Sequence, residues 1–180
     1  MILNGSRARS PGLFLTKTGK RWIARRKAIV LVFLDSNLFI IDRFFHRDAL
    51  YAATRAFLAR LPEISAAVPL MILLELCSAA SFRLSAVECD RWLQRFVTVY
   101  PVAVLNPFGA GDGSASAWLG SYVDDVARYV ARRMTLGDAI LAREADRYAA
   151  EAIVTWNIKD FAGRTAVPAL TPDQYMNRIP

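Results

Sequence analysis

Asp35, Glu75, Asp138 and Asp160 are the acids whose placement in this chain suggests chemistry. Asp35 directly follows the apolar run 28–34, and Glu75 lies within Met71-Ile72-Leu73-Leu74-Glu75-Leu76-Cys77, with apolar neighbours on nearly every side. Asp138 follows Gly137 at an expected helix start, and Asp160 comes after Ala152-Ile153-Val154-Thr155, close to Asn157. A buried carboxylate without a partner is costly even after its surroundings relax. No Lys or Arg stands near Glu75 in the sequence to pair with it. A shared divalent cation is an economical solution, because hard cations take oxygen ligands and Mg²⁺ keeps several waters. Each acid also has an ordinary reading. Asp35 and Asp160 suit turn acceptors, Asp138 suits a helix cap, and Glu75 suits an arginine from across the fold.

The elements that must position these acids follow from periodicity. Residues 28–34 are continuously apolar and β-branched, the pattern of a strand buried on both faces in a parallel sheet. Asp35-Ser36-Asn37 ends it. Residues 48–60 have helical spacing, closed by Pro62. Residues 66–70 suit a short strand and 71–80 a buried helix. Ser85 opens a helix over 85–96 with Glu88 three residues on, the pattern of a capping box. Residues 97–105 read as a strand region that Pro101 pushes towards a sheet edge. The glycines of 106–116 predict a loop, followed by helices over 118–134 and 138–150. Residues 152–155 and 167–170 are short strands with a turn over 157–161 between them, and Thr171-Pro172 opens a last helical turn. Strands alternating with helices imply an α/β sandwich with a mainly parallel sheet. Ligands of such sheets bind beyond the carboxyl ends of the strands, and three of the four acids flank expected strand ends or helix starts on that side.

Composition sets the outer bounds. The 180 residues suit one domain, and 54% apolar against 22% charged residues gives ample core material. No run reaches the roughly 18 apolar residues of a membrane helix. The N-terminus lacks the apolar stretch and cleavage site of a signal peptide. Two cysteines, Cys77 and Cys89, make neither a disulfide scaffold nor a zinc knuckle, so a reducing cytoplasm is expected. A single histidine, His46, argues against His-based metal sites and most Ser-His chemistry. The net charge of +7 is local. Residues 1–27 hold eight of the 23 basic groups and none of the 16 acids, which leaves the rest with 15 basic against 16 acidic groups. Such an arm suits phosphate contact by counterion release, or is an extension from an upstream start. The division expected is therefore a basic extension over 1–27 and a domain over 28–180.

The strand ending in Asp35-Ser36-Asn37, the helix with Glu75-Leu76, the run Leu136-Gly137-Asp138-Ala139-Ile140-Leu141-Ala142 and the segment Thr155-Trp156-Asn157-Ile158-Lys159-Asp160-Phe161 stand in the order of a PIN domain. Over about residues 29–176, including the closing Val167-Pro168-Ala169-Leu170-Thr171-Pro172, the chain resembles a VapC-type toxin of a type II toxin–antitoxin pair. The arm has no counterpart in that pattern. The resemblance implies a three-layer α/β/α sandwich and a Mg²⁺- or Mn²⁺-dependent endoribonuclease that leaves 5′-phosphate and 3′-hydroxyl ends. Asp35, Glu75, Asp138 and Asp160 would be its catalytic and metal-binding carboxylates, with Asn37 and Thr155 supporting them. Asn157 stands where some relatives carry another acid, so Asp160 becomes the fourth carboxylate.

Metal-assisted hydrolysis suits these residues on chemical grounds as well. Clustered carboxylates repel one another and the RNA phosphate, so a cation makes them useful, activating water for in-line displacement. Arg43, Arg47, Arg132, Arg133 and Lys159 are candidates for holding RNA, and Trp156 for stacking a base or packing. The resemblance further implies a homodimer and a cognate antitoxin that inserts a basic side chain among the acids. Leu50, Phe57, Phe82 and Trp92 are expected on exposed helix faces that would take an antitoxin helix. Two alternatives stand beside this. One is a catalytically silent RNA- or partner-binding module on the same fold. The other is a phosphatase of the haloacid dehalogenase type, which needs a second acid where Asn37 stands.

Overall fold

Five short strands form one parallel sheet in the order β3-β2-β1-β4-β5. The computed structural model describes residues 31–108 and 114–178. The basic arm, the first residues of the expected 28–34 strand and the glycines of 109–113 lie outside the described residues. β1 (Val32–Leu34) occupies the centre, fully buried, as its unbroken apolar sequence requires. β2 (Ala66–Pro69) pairs on one side of it and β4 (Ala152–Val154) on the other. β3 (Ala103–Leu105) and β5 (Ala169–Leu170) form the two edges. The chain winds outward from β1 through β2 to β3, then crosses back to β4 on the opposite flank. The carboxyl ends of β1 and β4 are therefore the point where the winding direction reverses, the place where open α/β sheets open a crevice.

Helices flank the sheet: α1 (Ser36–Phe44), α2 (Tyr51–Ala59), α3 (Leu70–Ser81), α4 (Ala86–Val99), α5 (Ala115–Val130), α6 (Leu136–Arg147), α7 (Ile158–Phe161) and α8 (Pro172–Met176). α6 packs across β1, β2 and β4. Small residues make that approach possible, with Ala139, Ala142 and Ala145 all fully buried at helical spacing. The core is completed by Phe33, Phe39, Phe57, Phe96 and Phe161. Ser85 and Thr171 cap α4 and α8 with the reciprocal hydrogen bonds of a capping box, and Pro172 takes the first turn of α8.

The α/β sandwich with a parallel sheet stands as expected, but several local readings change. Helix α1 begins directly at Ser36, where only a strand end is anticipated. Asp35 is its N-cap in extended conformation, and Leu38, Phe39 and Asp42 form its buried face. The strand read over 97–105 shrinks to Ala103–Leu105, because α4 continues to Val99. Trp92, Phe96 and Tyr100, four residues apart, are all buried, and this aromatic stripe outweighs the β-branched Val97-Thr98-Val99. The turn over 157–161 is largely the short helix α7. The 138–150 helix starts two residues earlier, with Thr135 as its cap and Asp138 in its first turn. The expected exposed apolar face divides: Phe82 is 88% exposed and Leu50 is exposed, but Phe57 and Trp92 belong to the core.

Candidate functional site

The register of β1 against β4 places Leu34 opposite Val154, so Asp35 and Thr155 leave the sheet side by side. The Asp35 amide donates to the Val154 carbonyl at 3.1 Å, and the Thr155 hydroxyl donates to Asp35 Oδ2 at 2.6 Å. Asn37 Nδ2 donates to Asp35 Oδ2 at 2.7 Å and to Thr155 Oγ1 at 3.0 Å. Ser36 Oγ donates to Asp35 Oδ1 at 3.2 Å, and the Asn157 amide donates to Thr155 Oγ1 at 2.9 Å. Asp35 is thus buried and held by neutral donors on both oxygens. None of the described cations pairs with it.

α3 follows β2 without a connecting loop, which brings Glu75 to the same end of the sheet. Its carboxylate lies over Gly137, close enough that a Cβ there would sit 2.5 Å from Glu75 Oε2. Gly137 therefore serves the close approach of α3 and α6. One residue on, the Asp138 amide donates to Thr135 Oγ1 at 3.2 Å, and the Thr135 hydroxyl donates back to Asp138 Oδ2 at 2.7 Å.

Electrostatics join three of the four acids. Burial, opposed by the Thr155 hydrogen bond and reinforced by the charge of Asp138, raises the Asp35 pKa above the ordinary carboxylate value. Glu75 keeps solvent access, yet its pKa is also raised, first by partial burial and then by the charges of Asp35 and Asp138. Asp160 is not among the main causes of either shift. It is half-buried in α7, and its backbone carbonyl accepts from Arg164 Nη1 at 2.8 Å. Asp35, Glu75 and Asp138 thus lie at one end of the sheet, Glu75 over Gly137 next to Asp138, while Asp160 sits in α7.

Three oxygen-donor side chains that repel one another and have no salt bridge among the described residues have the donor chemistry of a hard divalent cation. No three His, Cys, Asp or Glu side chains among the described residues stand already grouped to hold an ion. The donors fit by chemistry, and Glu75, on the solvent side, is the one with freedom to move.

The neighbouring positions sort themselves. Asn37, where a phosphatase of the haloacid dehalogenase type needs an acid, donates to Asp35 instead. Trp156 is half-buried, and its indole N–H donates to Thr54 Oγ1 at 2.8 Å, so it packs. Arg43, Arg47, Arg132, Arg133 and Lys159 are exposed, and Arg132 donates to the Arg164 carbonyl. Cys77 and Cys89 are free thiols. Sequence reasoning missed Ser36, Thr135 and the steric role of Gly137. Thr135-Leu136-Gly137-Asp138 carries the signal, since a threonine three residues ahead of an acid is a helix-start pattern.

A parallel five-stranded sheet with an acid after its central strand and flanking helices is the architecture of a VapC-like PIN domain, and this chain has that fold. It superposes on VapBC2 from Rickettsia felis, solved bound to a DNA fragment from its promoter, with a TM-score of 0.51 and 17% identity over 77% of this chain and 98% of that one. FitAcB from Neisseria gonorrhoeae matches at a TM-score of 0.56 and 13% identity, over 78% and 97% of the two chains. VapC20 of Mycobacterium tuberculosis, a sarcin-ricin loop cleaving toxin, matches at 0.51 and 11%, over 68% and 86%. No family model and no curated protein matches the sequence. Among the described residues, no helix is long and apolar enough to cross a membrane.

Proposed function

We propose that this protein is a Mg²⁺- or Mn²⁺-dependent endoribonuclease and the toxin of a type II toxin–antitoxin pair. The observation that carries the reading is the placement of Asp35 at the sheet's switch point, fixed by Thr155 and Asn37, with Glu75 lying over Gly137 next to Asp138 and no salt bridge to any of the three among the described residues. The VapBC and VapC20 structures that share the fold support it. Asp160 enters as a fourth carboxylate from its place after β4 and from the resemblance, the antitoxin is supported by the VapBC and FitAcB structures, and a homodimer rests on the resemblance.

Asp35, Glu75 and Asp138 would hold the cation, which would supply charge against the RNA phosphate and lower the pKa of an attacking water. The chain's own residues do the rest. Thr155, Asn37 and Ser36 fix the Asp35 carboxylate, so it is already oriented and needs no rearrangement. Thr135 orients Asp138. Glu75, reachable from solvent and lying over Gly137 next to Asp138, is placed to take a proton from the attacking water. An arginine from the antitoxin, placed among the same three acids, would satisfy their charge and close the site.

Induction in a bacterial host tests the toxin role. Wild type should arrest growth, Asp138→Asn should not, and co-expression of a small open reading frame from immediately upstream should restore growth. Growth unaffected by the wild-type chain would overturn the toxin reading.

A further inference from the structure

A cleft of about 460 Å³ lies away from the acidic centre, between α1, α2 and α4. Its walls carry four guanidinium groups, those of Arg43, Arg55, Arg91 and Arg95, against two carboxylates. Both acids are already engaged. Asp42 is buried, accepts from the Tyr100 hydroxyl at 2.7 Å and pairs with Arg55 at 3.3 Å. Glu88 accepts from the backbone and hydroxyl of Ser85 in the cap of α4. Arg43, Arg91 and Arg95 donate no hydrogen bond among the described residues, and all three are exposed. Trp92 forms part of the wall, and its indole N–H has no acceptor among the described residues.

Arg43 and Arg91 share the field of Glu88, but none of the three guanidinium forks has a salt bridge among the described residues. Three such forks in one concave site, with aromatic rings between them, have the chemistry of a phosphate site with room for a base. The location adds to this. Helix α1 runs from its cap Asp35 to Arg43, roughly 12 Å along the axis at about 1.5 Å per residue, so one rigid element links the acids to the cleft. A centre built of acids repels a polyanion and gains affinity for it only from positive charge elsewhere. We propose that this cleft is a second RNA site, in which Arg43, Arg91 and Arg95 hold backbone phosphates of the strand whose scissile bond lies at the acids. The proposal rests on the ribonuclease reading.

The test is fluorescence anisotropy of a labelled single-stranded RNA, with EDTA present so that binding is read without cleavage. The variant is Arg91→Gln with Arg95→Gln. Both positions are solvent-facing on α4, and circular dichroism checks that the fold is retained. A charge-matched pair at Arg60 and Arg178 is the control. The expected result is affinity about tenfold weaker than the control, and a salt dependence shallower by about 1.4 in the logarithmic slope, the loss of two single-strand phosphate contacts. Equal affinity and slope for variant and control would overturn the proposal. So would tight binding of poly-glutamate with RNA binding unaltered, which reassigns the cleft to an acidic peptide. Cleavage by wild type is read separately: RNA bound through the cleft but never cut contradicts the ribonuclease reading alone.

Discussion

Asp35 and Glu75 carry raised pKa values because burial and the neighbouring Asp138 charge both oppose ionisation. For such groups the unfolded chain releases its protons first. Stability therefore falls as pH rises above the ordinary values of 3.8 and 4.5, and the loss is complete once the folded-state values are passed. Asp138→Asn removes one of the repelling charges while its side-chain oxygen can still accept from Thr135. In metal-free buffer at pH 7 it should melt about 2–4 °C above wild type, the shift that about 1 kcal/mol makes in a chain of this size. The gap should narrow towards pH 4. Differential scanning calorimetry across that range checks it, and a lower melting temperature for the variant at pH 7 contradicts the coupling. Asp35→Ala is the opposite case, since it orphans the buried donors of Thr155 and Asn37 and should destabilise by about 1–3 kcal/mol. At this scale the sequence is informative about which acids matter, because an acid inside an apolar run, such as Glu75, has few innocuous explanations. Asp160 is less legible. Its position after a strand resembles that of Asp35, yet it lies within the short helix α7 rather than at the strand end itself. Asp42, a buried acid answered by Tyr100 and Arg55 from other elements, gives no local signal.

Between elements, the close passage of α3 over α6 at Gly137 is what brings Glu75 to Asp138. Gly137→Ala places a methyl where the Glu75 carboxylate now lies. The obstructing atoms are the far end of a flexible side chain, so Glu75 swings aside rather than the helices parting. Alanine also improves the helix by up to about 1 kcal/mol. The variant should keep or gain thermal stability while losing at least tenfold in RNA cleavage, and unchanged cleavage with matched stability would refute the role given to this approach. Element type was readable wherever period and caps agreed, as in α4 with Ser85 and Glu88 and in β1 with its unbroken apolar run. It failed where they disagreed. Val97-Thr98-Val99 reads as strand by composition, but the aromatic stripe through Phe96 and Tyr100 keeps the helix going. α1 was hidden because Asp35 serves both as strand end and as helix cap, leaving no gap to mark the change. Phe57 and Trp92 look like surface positions only until the partner helices that bury them are known.

For the molecule as a whole, the sheet's winding decides where chemistry can occur. β1 and β4 are adjacent in space but far apart in sequence, and only their pairing sets Asp35 beside Thr155. Alternation of strands and helices predicts the parallel sheet, but not the order that makes β1 central. The acidic centre and the basic cleft then stand near the two ends of α1, the one proposed to cut RNA and the other to hold it. The central claim is that Asp35, Glu75 and Asp138 act together through a divalent cation on RNA. The most direct measurement is cleavage of a structured RNA by purified protein over a Mn²⁺ titration, comparing wild type with Asp138→Asn. The account predicts cleavage that appears with Mn²⁺, vanishes with EDTA and falls at least about a hundredfold in the variant, the scale of losing one preorganised charge-stabilising group. Cleavage at equal rates by both proteins, or by wild type in EDTA, would contradict it.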